Sequence, residues 1–186
     1  MPPKYYVCGT AATTFTLYIW GAAMHLGVHT AVQAIPVLNE AVETQVITTL
    51  QEPAVAIPDG IHMGGRGLFL IVSTLDDGTD TFSGLSFPGT LTAQLLVCIL
   101  VGCLLSIIVL RIRAHSILGT GANVALIALA AASFTCLPQW CWYGFGPKFT
   151  AVNMLDIVGG WFFSALVLAW MAQRFDTRST DETSTS

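Results

Sequence analysis

Long apolar stretches almost bare of charge predict a membrane all-α fold: a four-transmembrane-helix bundle with a small α/β extracytoplasmic cap between helices 1 and 2. Only 10% of the 186 residues are charged and 54% are hydrophobic, against about 25% charged in a soluble domain. So few charges leave too little polar surface for a water-soluble fold. The mean hydropathy of +0.69 points the excess apolar surface at lipid. The charges also gather between and after the apolar stretches rather than inside them. A net charge of -4 argues against a nucleic-acid partner, which requires clustered Lys and Arg.

A spanning helix needs about 20 mostly apolar residues, and four segments qualify: residues 5–30, 88–110, 116–137 and 149–171. The first contains no Asp, Glu, Lys or Arg. The second opens at Pro88, a residue suited to the first helical turn, and stops before Arg111 and Arg113. Pro138 ends the third, and the fourth holds Asp156 as its only charge. Together they predict one membrane domain over residues 1–175. The tail, residues 176–186, is rich in Ser, Thr, Asp and Glu without an apolar residue, which predicts disorder.

Basic residues in short loops stay on the cytoplasmic side. Lys4, Arg111, Arg113, Arg174 and Arg178 fall on one side of this layout, and Arg66 and Lys148 on the other. Both termini are therefore expected in the cytoplasm, in a multi-pass protein of the cell (cytoplasmic) membrane. A cleavable signal peptide is the competing reading of the first span, because Ala31-Val32-Gln33-Ala34 offers small residues for cleavage. Its apolar run is longer than the usual h-region, and Lys4 is its only basic residue.

Residues 35–87 form the long outer loop. Asn39 suits a helix N-cap, Glu40 and Glu43 suit a first turn, and Val42, Val46 and Leu50 recur every four residues. These predict a short amphipathic helix over residues 40–50, ended by Pro53. Residues 54–57 and 68–74 read as strands, and Pro58-Asp59-Gly60, Gly64-Gly65-Arg66-Gly67 and Asp76-Asp77-Gly78 read as turns.

The residues with chemical potential gather at the outer side. His25 and His29 are four apart on one helix and share a face, a spacing that presents two imidazoles to a metal ion or a haem. His62 in the loop and Asp156 in the fourth span complete a candidate metal set, with Cys136 nearby. The plainer reading makes both histidines interfacial polar residues bonded to carbonyls or water. A carboxylate within a span costs at least about 2.5–3.5 kcal/mol, so Asp156 should face the bundle and a partner such as His25, His29, Arg66 or Lys148. The aromatic run from Trp140 to Phe145 fits a membrane–water belt. Gly119, Gly121, Ala122, Ala125, Ala128 and Ala132, with Gly159 and Gly160, offer small faces for close helix approach.

No GxSxG, P-loop, GxGxxG, HExxH or CxxCH motif is present. The five cysteines, Cys8, Cys98, Cys103, Cys136 and Cys141, form no CxxC pair. The expectation leans away from an enzyme. It favours a membrane accessory, assembly or interaction protein whose partners are the lipid bilayer and other membrane proteins or itself. A metal- or haem-binding protein is the alternative, and a small transporter or channel subunit comes last.

Several stretches together resemble a group of uncharacterised small bacterial four-helix integral membrane proteins. They are Ile19-Trp20-Gly21-Ala22-Ala23-Met24-His25, Leu38-Asn39-Glu40, residues 54–58, Gly65-Arg66-Gly67-Leu68, Trp140-Cys141-Trp142-Tyr143-Gly144-Phe145, and Asp156 with Gly160-Trp161. The resemblance implies a bacterial inner-membrane location and no established activity, substrate or cofactor. Cys141 stands where that group has an Asn-like polar residue between its two tryptophans.

Overall fold

The computed structural model describes residues 3–29, 31–32, 40–51, 60–64, 68–72, 87–112, 116–143 and 145–184. The elements are helix α1 (Pro3–Ala23), continued by a π-helical turn (Met24–His29), helix α2 (Glu40–Gln51), strands β1 (Gly60–Gly64) and β2 (Leu68–Val72), and helices α3 (Phe87–Ile112), α4 (Ile117–Tyr143) and α5 (Pro147–Ser184).

Three helices are long and apolar enough to cross a membrane: Pro88–Ile112, Ile117–Tyr143 and Pro147–Phe175. The chain is thus a multi-pass membrane protein with three candidate spans among the described residues, and the expected four are corrected to three. α1 falls short because Tyr5, Tyr6, Tyr18, Thr10, Thr13, Thr14 and Thr16 dilute its apolar residues. Thr13 and Thr14 are buried, so much of that polarity is turned into the bundle.

α1 lies against α3 and α5, and α4 packs chiefly on α5. Tyr5 donates to the Leu168 carbonyl at 3.5 Å and Trp20 to that of Asp156 at 2.9 Å, so α1 runs antiparallel to α5. A Cβ on Gly9 would meet Ser106, and one on Gly102 would meet Thr14, which makes α1 antiparallel to α3 as well. One core cluster, Tyr5, Leu105, Val109, Val124, Ala165, Leu168 and Ala169, gathers Ile112, Ile117 and Phe175 around it at the end where α1 begins. The opposite end holds a smaller cluster of Met24 and Val152 with Trp20 and Val28.

Small residues set the closest approaches, as expected where helices pack in lipid. α4 buries Gly121, Val124, Ala128, Ala132 and Cys136 at helical spacing. A Cβ on Gly121 would come 2.7 Å from Leu166 and 3.0 Å from Phe162, so this face is occupied by α5. The Trp20 indole lies across Gly159 and Gly160, and a Cβ on Gly159 would sit inside its van der Waals envelope.

The expected α/β cap is also corrected. β1 and β2 form an antiparallel hairpin, with His62 opposite Leu70. Among the described residues neither this hairpin nor α2 makes more than a marginal contact with the helix bundle. α2 leaves Val42 46% and Val46 41% exposed, so the stripe that should have docked it is not covered. A two-stranded hairpin alone is marginally stable at best. The strand expected over 54–57 lies outside the described residues.

Two boundaries differ from expectation. α4 continues through Pro138 to Tyr143, an arrangement that membrane helices tolerate because other groups re-satisfy the freed carbonyl. α5 continues past the span to Ser184, although the polar tail suggested no element. Extending an existing helix adds one bond per residue without a new nucleus.

The Trp20 seam yields a direct expectation. Gly159→Ala should lower stability by about 1–3 kcal/mol, the usual penalty for overpacking, read as a lower midpoint of thermal unfolding in detergent. In a double-mutant cycle with Trp20→Ala, the glycine substitution should lose most of its effect. Equal losses with and without the indole would mean that the ring does not set this contact.

Candidate functional site

At the end of the bundle away from Tyr5, α1 widens into the π-helical turn Met24–His29. Gly21 before it and Gly27 within it weaken the local α-helical preference, and single π turns recur at functional sites. The turn places Met24 inward against Val152 and leaves His25 and His29 on the side of α5.

Three side chains meet there. His25 Nδ1 lies 2.9 Å from the Gly21 carbonyl oxygen. A carbonyl only accepts, so Nδ1 carries the proton in this contact. The same nitrogen is 4.0 Å from Asp156 Oδ2, a charged pair when the imidazole is protonated. The His25 side chain is 68% exposed and that of Asp156 20%, so the pair bridges the rim and the interior of the site. The His29 ring lies 5.1 Å from that of His25, tilted by 30°, and 6.3 Å from Phe149. Phe149 in turn stacks on Phe145 at 4.9 Å. His29 Nε2 is buried and has no hydrogen-bond partner among the described residues.

Trp20 holds this end together. Its Nε1–H donates to the Asp156 backbone carbonyl, and its ring lies 5.0 Å from Phe163 over the Gly159–Gly160 face. The indole thereby fixes the height of α1 against α5 and the approach of His25 to Asp156.

The sequence-derived candidates are divided by the fold. His25, His29 and Asp156 come together. The backbone of His62 lies in β1, and its side chain lies outside the described residues, as does Arg66. Cys136 is buried on the α4 face turned to α5. Lys148 lines an open groove with Ala31, Val32, Ala151 and Val152. No group of three His, Cys, Asp or Glu side chains arranged to hold a metal ion occurs among the described residues. The arrangement present is a largely buried carboxylate beside two imidazoles, suited to holding a proton or a hydrogen-bonding group.

Two residues of consequence were not singled out from sequence. Trp20 entered only as part of the Ile19–His25 stretch, although its place five residues before His25 was the available signal. Asn123 interrupts the apolar run of α4 and is exposed there beside Ala122, Leu126 and Ile127.

Comparison with family models, with curated proteins and with solved structures finds no match. The resemblance to a group of small bacterial four-helix membrane proteins is accordingly corrected: no family supports it, and the candidate spans among the described residues are three rather than four.

Proposed function

We propose that this protein is a non-catalytic membrane interaction component, an accessory or assembly subunit that docks through α4 to another membrane protein or to a second copy of itself. The observation that carries this reading is Asn123. It is exposed within a candidate span, and its amide makes no hydrogen bond to another helix among the described residues. An amide facing hydrocarbon is satisfied best by a partner across a helix interface, at about 1–2 kcal/mol in model peptides. α4 is free to offer such an interface because its small-residue face is already spent on α5, and only 28% of its most apolar stretch is buried. Asn123→Leu should reduce the amount of partner recovered by cross-linking and co-purification from mild detergent by about fivefold or more, the factor that ~1–2 kcal/mol carries. Unchanged recovery, or a wild-type chain that always migrates alone, would refute it.

The same proposal turns the end of the bundle that holds the Tyr5 cluster toward the cytoplasm. Lys4, Arg111 and Arg174 belong to the end of the bundle that gathers Tyr5, Ile112 and Phe175, while Lys148 belongs to the other. Basic flanks favour the cytoplasmic side. Cys141 is an exposed free thiol near the Lys148 end. A membrane-impermeant maleimide should label it in right-side-out vesicles and not in inverted ones; the reverse pattern would invert the orientation.

A second reading is a metal or haem site, favoured by the unpartnered His29 Nε2 beside His25 and Asp156. It requires a further donor, such as His62. Purified protein should then carry a metal in stoichiometric amount or a haem absorption band that His29→Ala removes. Protein free of both would end this reading.

A further inference from the structure

The groove between the end of the first helical segment and the start of α5 has a form that neither the histidine site nor the α4 interface uses. Its volume is about 570 Å³, and it is lined by Ala31, Val32, Lys148, Ala151 and Val152. Four of the five are small or aliphatic, and the fifth is an exposed lysine at the second residue of α5. Lys148 forms no ion pair among the described residues.

We infer that this groove holds one anionic phospholipid, its phosphate on Lys148 and its acyl chain along Ala151 and Val152. The depth is right for such a molecule. The candidate span begins at Pro147, so Lys148 lies at the boundary, and Ala151 and Val152 lie three to four residues deeper, about 4.5–6 Å at 1.5 Å per residue. A headgroup and its chain are offset in the same order. The charge is complementary as well, since an ammonium at headgroup level attracts a phosphate directly. The first amides of α5 add partial positive charge where the phosphate would sit. Val152 also packs on Met24, so the chain would lie against the wall of the smaller core cluster and brace the histidine-bearing turn.

The test is native mass spectrometry of the full chain in mild detergent, titrated with phosphatidylglycerol and, separately, with phosphatidylcholine of the same chains. The wild type should retain one phosphatidylglycerol in preference to phosphatidylcholine. Lys148→Gln should weaken that retention about fivefold, the factor equivalent to ~1 kcal/mol per basic residue at an anionic surface. Lys148→Arg should preserve it, and Lys4→Gln, at the other end of the bundle, should leave it unchanged. Ala151→Phe, which fills the groove from an exposed position, should abolish binding of both lipids there without lowering the unfolding midpoint. Equal retention of the two lipids, or a Lys148→Gln chain that binds as the wild type does, overturns the inference.

Discussion

The antiparallel seam between α1 and α5 is the constraint from which the rest of this protein follows. α1 does not reach the apolarity of the three candidate spans and could not be held by lipid preference alone. It is held by fit. Gly9 sits against Leu168, the Tyr5 hydroxyl reaches the Leu168 carbonyl, and the Trp20 ring covers Gly159 and Gly160. Between these two ends, Thr13 and Thr14 are turned inward. The seam fixes the helix at both ends, and the π turn that follows inherits its position.

That inheritance explains why a charged residue is tolerated within α5. Asp156 is close enough to the end of the span to meet His25 at the rim, and its own carbonyl is occupied by the indole of Trp20. The backbone contact and the side-chain contact have different roles. The indole bond anchors the helix pair, whereas the 4.0 Å approach of a largely exposed imidazole contributes little to stability, as surface pairs generally do. The polar groups at this end therefore add less to the hold of α1 on α5 than the indole does.

Much of the architecture was legible in the chain because lipid acts as a uniform solvent that length and apolarity report. Residues 88–110, 116–137 and 149–171 became α3, α4 and α5 with shifted ends, and the small residues of α4 became its face on α5. The same bulk criterion misread α1, since a run free of charge is not the same as an apolar run when tyrosines and threonines fill it. It also misjudged Pro138 as a stop, because a helix already committed on both sides absorbs one missing donor. The cap failed for another reason. Periodicity in Val42 and Val46 promises a surface to bury, but it does not supply the surface that buries it.

At the candidate site the division is similar. His25 and His29 share a face because their spacing is local, and local spacing is what a sequence records best. The approach of Asp156, 131 positions after His25 in the chain, depends on the register of α1 against α5, and that register is set by where an indole finds two glycines. Trp20 and the Gly159–Gly160 pair are each unremarkable alone, and only their contact gives the histidines a carboxylate. The sequence had pointed to several partners for Asp156, among them Lys148, which instead faces the groove. Packing of small residues, rather than attraction between charges, decides which polar groups meet in this protein.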